Sequence, residues 1–114
     1  MTDDVAQIIA IAADYVEGWY TGDVARMDRA LHPDLVKRTM GEGQLRVVTK
    51  ERMLELTGQG GGEDPDAEFE VTVDHISETI ASARVLSPEY LDYLHLQKTG
   101  DGWKIVNVLF RTHA

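Results

Sequence analysis

Apolar residues recur at two different periods along this chain, helical in its first part and strand-like in its last. Val5, Ile8, Ile9, Ala12, Ala13, Val16, Trp19 and Tyr20 return every three to four positions, so the spacing predicts a first helix over residues 4–20 with one apolar stripe. Asp14 and Glu17 fall outside that stripe and are expected to face water. Gly22 ends the helix, and Asp23 is a good N-cap for a second one carrying Val24, Met27 and Leu31 on one face. Pro33 disfavours helix at His32, so the second helix is expected to close there. Short strands are predicted at 35–40 and 44–49, joined by Gly41-Glu42-Gly43. Thr49 then caps a third helix over 50–57, with Met53, Leu56 and Thr57 on one side.

The stretch Gly58–Asp66 holds four glycines and three acids in nine residues. No regular element forms from such a sequence, and the expectation is a mobile loop or a gate over a pocket. From residue 67 onward the period is two, with strands expected over 68–77, 78–87, 90–98 and 103–111. The last two are joined by Thr99-Gly100-Asp101-Gly102 and read as a hairpin. Three helices followed by a four-strand antiparallel meander make an α+β chain with its helices on one face of a sheet.

Composition narrows this picture. A chain of 114 residues has material for one domain, taken as residues 1–114. It has no cysteine, which excludes disulfides, thiolate metal sites and a cysteine nucleophile. The formal net charge of −9 would be repelled by a phosphate backbone, so no nucleic-acid partner is expected. No apolar run reaches membrane-spanning length, and Met1-Thr2-Asp3-Asp4 lacks the basic start of a signal peptide. These features together lead to the expectation of a soluble, cytoplasmic protein without a membrane partner.

The order of elements and several strings within them resemble the nuclear transport factor 2-like superfamily, in particular its SnoaL-like and "putative lumazine-binding" branch. The strings are Gly18-Trp19-Tyr20-Thr21-Gly22-Asp23, Leu31-His32-Pro33-Asp34-Leu35-Val36-Lys37-Arg38, Asp92-Tyr93-Leu94-His95-Leu96 and Gly102-Trp103-Lys104-Ile105-Val106-Asn107. The resemblance covers essentially the whole chain. It implies a cone-shaped curved antiparallel sheet with the three helices over one face, a cystatin-like roll. It also implies a homodimer through the other sheet face. The superfamily's activities are varied and include isomerases, cyclases, dehydratases and a transport adaptor, so function has to come from the site.

Alternation along the last two strands places Tyr90, Asp92, Leu94, Trp103, Ile105 and Asn107 on one face, expected to line the cone. Tyr93, His95, Val106, Val108 and Phe110 fall on the other, expected to meet the partner copy. A carboxylate in an apolar cup should have a raised pKa, the condition for a general acid or base. Ketosteroid isomerases pair such a carboxylate with a tyrosine. Asp92, Tyr15 and His32 are therefore the candidate catalytic residues, and Trp19, Tyr90, Asn107 and Met53 the candidate ligand contacts. Bland alternatives stand beside each. Asp92 can bond a backbone amide or Arg84, Asn107 can satisfy a helix end, His32 can be a helix-terminal imidazole, and the aromatics can be ordinary core. The histidines lack the usual ligand spacings, so neither a metal nor a cofactor is expected.

Three functions follow. One is a cofactor-free enzyme of isomerase, cyclase or dehydratase type acting on an apolar, carbonyl-bearing ligand. The others are a non-catalytic binder of a small apolar or aromatic molecule, and a dimeric interaction module with a vestigial cavity.

Overall fold

The structure is a computed structural model that describes residues 3–60 and 66–113. Its elements run α1 (Asp4–Thr21), α2 (Val24–Ala30), β1 (Leu31–Gly41), β2 (Gln44–Thr49), α3 (Lys50–Gly58), β3 (Glu70–Ser77), β4 (Ile80–Leu86), β5 (Tyr90–Thr99) and β6 (Gly102–Thr112). The expectation of a mobile cover at Gly58–Asp66 falls mainly on residues 61–65, outside the described residues. Among the described residues no helix is long and apolar enough to cross a membrane.

The helix ends are set by side chains that answer free backbone amides. Asp3, Asp23 and Thr49 accept from Ala6, Arg26 and Arg52 at 3.1, 3.1 and 3.2 Å. Gly22 closes α1 at φ +69°, a left-handed conformation that glycine adopts without a steric penalty. Gly18 lets α2 fold back tightly over α1, since a Cβ there would stand 3.1 Å from the Met27 nitrogen and 3.2 Å from the Asp23 oxygen.

The six strands form one curved, unclosed sheet in the order β2-β1-β6-β5-β4-β3. The meander β3–β6 is antiparallel throughout, as the sequence predicts. The pair β1–β6 is parallel, which corrects the expectation of a wholly antiparallel sheet. Parallel neighbours need a long connection, and here most of the chain lies between them. Ladder irregularities interrupt β1–β6 between Leu31 and Val36, β3–β4 between Val73 and His75, and β5–β6 between His95 and Leu96. Such bulges bend a sheet and strengthen its twist, which produces the concave face. Pro33, which has no N–H to give, sits within the first of them. Pro33 does not mark the helix end expected from the sequence: α2 closes at Ala30, and His32 is the second residue of β1.

The helices cover the concave face. Ile8, Ala12, Tyr15 and Val16 of α1 are buried together with Leu94, Leu96, Trp103, Ile105 and Val108 of the sheet. The α1 stripe is thus rotated from the expected one, and Val5 and Ile9 are exposed. The two ends of the chain are tied where Asp4 accepts from Trp103 Nε1 at 3.0 Å and Lys98 Nζ at 3.1 Å.

Asp14 does not face water. It is 9% exposed and accepts from Arg26 Nε at 3.0 Å and from Arg29 Nε and Nη2, both at 2.9 Å. The turn at Gly22 and Asp23 brings these two arginines back across α1, a contact that helical spacing alone cannot reveal. Arg29 first, and Arg26 with it, holds the Asp14 carboxyl below its ordinary 3.8, with burial opposing. A carboxyl that titrates lower when folded binds fewer protons in the folded state. Its contribution is present above the unfolded pKa and is lost as pH falls through the folded one. Asp14→Asn should therefore cost about 1.5–3 kcal/mol in urea unfolding at pH 7, and the gap from the native protein should narrow near pH 3. An equal gap at both pH values would contradict a charge-based clamp.

Candidate functional site

The cavity lies between the C-terminal half of α1, helix α3 and the concave sheet. Its volume is about 200 Å³, and its walls are mostly apolar. Tyr15 and Trp19 enter from α1, one helical turn apart, and Met53 enters from α3. Asp92 comes from β5, with the same inward parity as Leu94 and Leu96. Lys37 comes from β1, two residues beyond the buried Leu35. Phe110 of β6 is paired directly with Asp92 in the ladder and packs edge-on against Tyr90, with ring centroids 5.7 Å apart.

Three polar side chains meet inside this cup. The Tyr15 hydroxyl donates to Asp92 Oδ2 at 2.7 Å and accepts from Lys37 Nζ at 2.5 Å. Lys37 Nζ also lies 3.9 Å from Met53 Sδ, 4.9 Å from the Tyr15 ring centroid and 4.6 Å from that of Phe110. Tyr15 and Asp92 are 4% and 7% exposed. Burial pushes the Asp92 carboxyl above 3.8, while the Lys37 charge and the Tyr15 hydrogen bond oppose it. Burial likewise pushes the Lys37 ammonium below 10.5, and Asp92 opposes that. Burial, and after it the Asp92 charge, raises Tyr15 well above 10. The result is an ordered hydrogen-bond chain, amine to phenol to carboxylate, whose end groups are both drawn toward their neutral forms. Such a chain can accept, hold or pass a proton.

Five of the seven candidate residues share this cavity: Tyr15, Trp19, Met53, Tyr90 and Asp92. His32 does not. It stands at the start of β1, where its Nδ1 accepts from the Asp34 amide at 3.0 Å. Asn107 does not either. It lies on the convex face, where it accepts from Arg38 Nη1 at 3.2 Å and contacts His95 Nδ1 at 3.2 Å. The cause is the bulge in β6. His95 pairs with Asn107 and Leu96 with Ile105, so Val106 is an extra residue and the strand changes phase. Trp103 and Ile105 point inward as expected, but beyond the bulge Val108 and Phe110 do so. Val108 and Phe110 are thereby removed from the face assigned to the partner, which carries Asn107 and Leu109 in their place.

Lys37 was missed by the sequence reading. Its signal was its parity with Leu35 within a predicted strand. Among the described residues no group of three or more metal-ligating side chains gathers, and His32, Asp92 and His95 lie apart.

Comparison with known proteins places this geometry in a family. A family model described as "Putative lumazine-binding" matches residues 3–111. No curated protein matches the chain. Solved structures similar to it include a nuclear transport factor 2-like protein of unknown function from Silicibacter pomeroyi, 18% identical, with a TM-score of 0.85 over 96% of this chain and 95% of that one. A second, from Shewanella baltica, is 20% identical and likewise of unknown function, with a TM-score of 0.84 over 100% of this chain and 99% of that one. A ketosteroid isomerase-like protein from Erwinia carotovora is 18% identical, with a TM-score of 0.75 over 100% of this chain and 99% of that one. At these identities the likeness is one of fold. The family match, which spans nearly the whole chain, goes further: the chain belongs to the family described as putative lumazine-binding, and its fold is like that of the nuclear transport factor 2-like structures.

Proposed function

We propose that the cavity binds a small, flat, mostly apolar molecule bearing a carbonyl group and moves a proton on it, in the manner of an isomerase, cyclase or dehydratase. The observation that carries this reading is the Tyr15–Asp92 hydrogen bond, held at 2.7 Å inside an apolar cavity. Asp92 is the base. Burial raises its pKa, which makes it a better proton acceptor than an exposed aspartate. Tyr15 and the Lys37 ammonium supply donors for the negative charge that builds on the carbonyl oxygen when the adjacent carbon loses its proton. Trp19 and Tyr90 offer ring faces to a flat ligand. The family description names lumazine, a flat ring system with carbonyl groups, and one structural neighbour is called ketosteroid isomerase-like; both names are in keeping with a carbonyl-bearing ligand.

The protein is further proposed to act as a homodimer through the convex sheet face. Met40, Leu45, Val47, Tyr93 and Leu109 are each about half exposed or more on that face. The registers set Val47, Arg38, Leu109 and Tyr93 in one row across β2, β1, β6 and β5. Arg38 interrupts that row, but small proteins seldom leave this many large apolar side chains of one sheet face in water.

Two outcomes are expected. In D₂O, the native protein should accelerate deuterium exchange next to the carbonyl of cyclohexanone, followed by NMR. The rate should rise as pH climbs through the Asp92 pKa, because only the carboxylate accepts a proton. Asp92→Asn should slow that exchange by about 10²–10⁴-fold. Exchange no faster than in buffer, or untouched by the substitution, would contradict proton transfer at Asp92. Light scattering at micromolar concentration should give the mass of two chains, and Leu109→Glu should give that of one. A one-chain mass for the native protein would exclude the dimer.

A further inference from the structure

We propose that Lys37 is a nucleophile that forms an imine with the carbonyl carbon of the ligand. The proposal rests on the preceding reading that the cavity admits a carbonyl compound, and adds a covalent step to it.

The surroundings of Lys37 set it apart from the other three lysines of the chain. Lys50 is held by Asp28 Oδ1 and the Leu31 carbonyl, both at 2.9 Å. Lys98 is held by Asp4 Oδ1 at 3.1 Å, and Lys104 by the Arg29 carbonyl at 2.6 Å. Each of these ammonium groups has a full or partial negative charge in contact. Lys37 Nζ has a neutral phenol, a thioether sulfur and two ring faces. Among the described residues it forms no ion pair, and the Tyr15 hydroxyl stands as the hydrogen-bonded bridge between it and the Asp92 carboxylate. A lysine amine desolvated in an apolar pocket is an activated nucleophile. Burial acts in the same direction on its protonation, pushing Lys37 below the ordinary lysine value.

The groups needed for the remaining steps are in place. The Lys37 ammonium first passes one proton through the Tyr15 hydroxyl to Asp92, where it is held. The Nζ lone pair of the resulting amine attacks the carbonyl carbon, and the C=O π pair moves to oxygen. The proton lost from nitrogen reaches that oxygen along the Tyr15 hydroxyl and Asp92, giving a carbinolamine. The same relay returns a proton to the departing hydroxyl, the C–N double bond forms and one water leaves. Nothing is oxidised or reduced, and no net proton is consumed. In the protonated imine the neighbouring C–H is more acidic than in the parent ketone, which lowers the demand on Asp92 as base.

Benzaldehyde is a suitable probe. Apolar cavities of about 150 Å³ already hold benzene, and this one measures about 200 Å³. Benzaldehyde has no hydrogen on the carbon next to its carbonyl, so it reports imine formation without proton transfer at carbon. The full chain is incubated with benzaldehyde and cyanoborohydride at neutral pH, digested and mapped by mass spectrometry. Binding is followed in parallel by NMR shifts of the Trp19 indole. Lys37 should gain the mass of the aldehyde less one oxygen at least about tenfold faster than Lys50, Lys98 or Lys104, a modest share of what holding two reactants together supplies. All four rates come from one native sample, so the comparison does not depend on a variant folding. Lys37→Arg should abolish the fast site and leave the other three unchanged. If Trp19 shifts but the four lysines react alike, the imine is overturned and the binding reading stands. If Trp19 does not shift and the lysines react alike, both fall.

Discussion

One hydroxyl group reconciles two charges with an apolar cavity. Alone, the Asp92 carboxylate and the Lys37 ammonium would each be costly where they sit, because burial removes the water that solvates them. Tyr15 stands between them, donating to one and accepting from the other. It also joins the layers, since through it α1 makes a polar contact with the floor of the sheet inside the cavity, as Asp4 does with Trp103 and Lys98 at the other end of the helix. The Tyr15–Asp92 bond therefore orients the helix over the cavity and determines what the cavity presents to a ligand. Burial draws both end groups toward their neutral forms, and the hydrogen-bond chain through Tyr15 offsets part of that cost.

The second constraint is the phase of β6. A flat, uninterrupted strand would put Trp103, Ile105, Asn107 and Leu109 on one face. The extra residue at Val106 lets β6 bury Trp103 and Ile105 near the hairpin, and then Val108 and Phe110 nearer the cavity. The same step moves Asn107 outward to Arg38 and His95. The cavity wall and the convex face near β6 thus depend on this irregularity, which also adds to the curvature set by the other two, consistent with bulges lying where a sheet must bend and re-aim its side chains.

This explains what the sequence could and could not disclose. The element order was readable because helical and strand periods differ and because Asp23, Thr49 and Gly22 are good caps and stops. Asp92 and Tyr15 were legible as a polar residue on an inward strand face and an aromatic on a helix flank. Asn107 was misplaced because Ile105-Val106-Asn107-Val108-Leu109 is apolar at both parities, so nothing local marks the bulge. His32 was misplaced because Pro33 forbids helix without saying whether a strand starts there. Lys37 was missed because a lysine on a short strand usually belongs to water, and only the distant Tyr15 and Asp92 give it a reason to turn inward. Asp14 was misread for the same reason, since its arginines lie beyond a turn.

The coupling between Tyr15 and Asp92 is the quantity on which the site stands. It can be measured by a double-mutant cycle on urea unfolding with Tyr15→Phe, Asp92→Asn and the pair. Directly bonded residues give an interaction energy of about 0.5–3 kcal/mol, whereas separated ones add within about 0.5 kcal/mol. A coupling in the first range is expected at pH 7. Strict additivity of the two substitutions would show that the hydroxyl does not bridge helix and sheet, and the relay from Lys37 to Asp92 would then have no middle member.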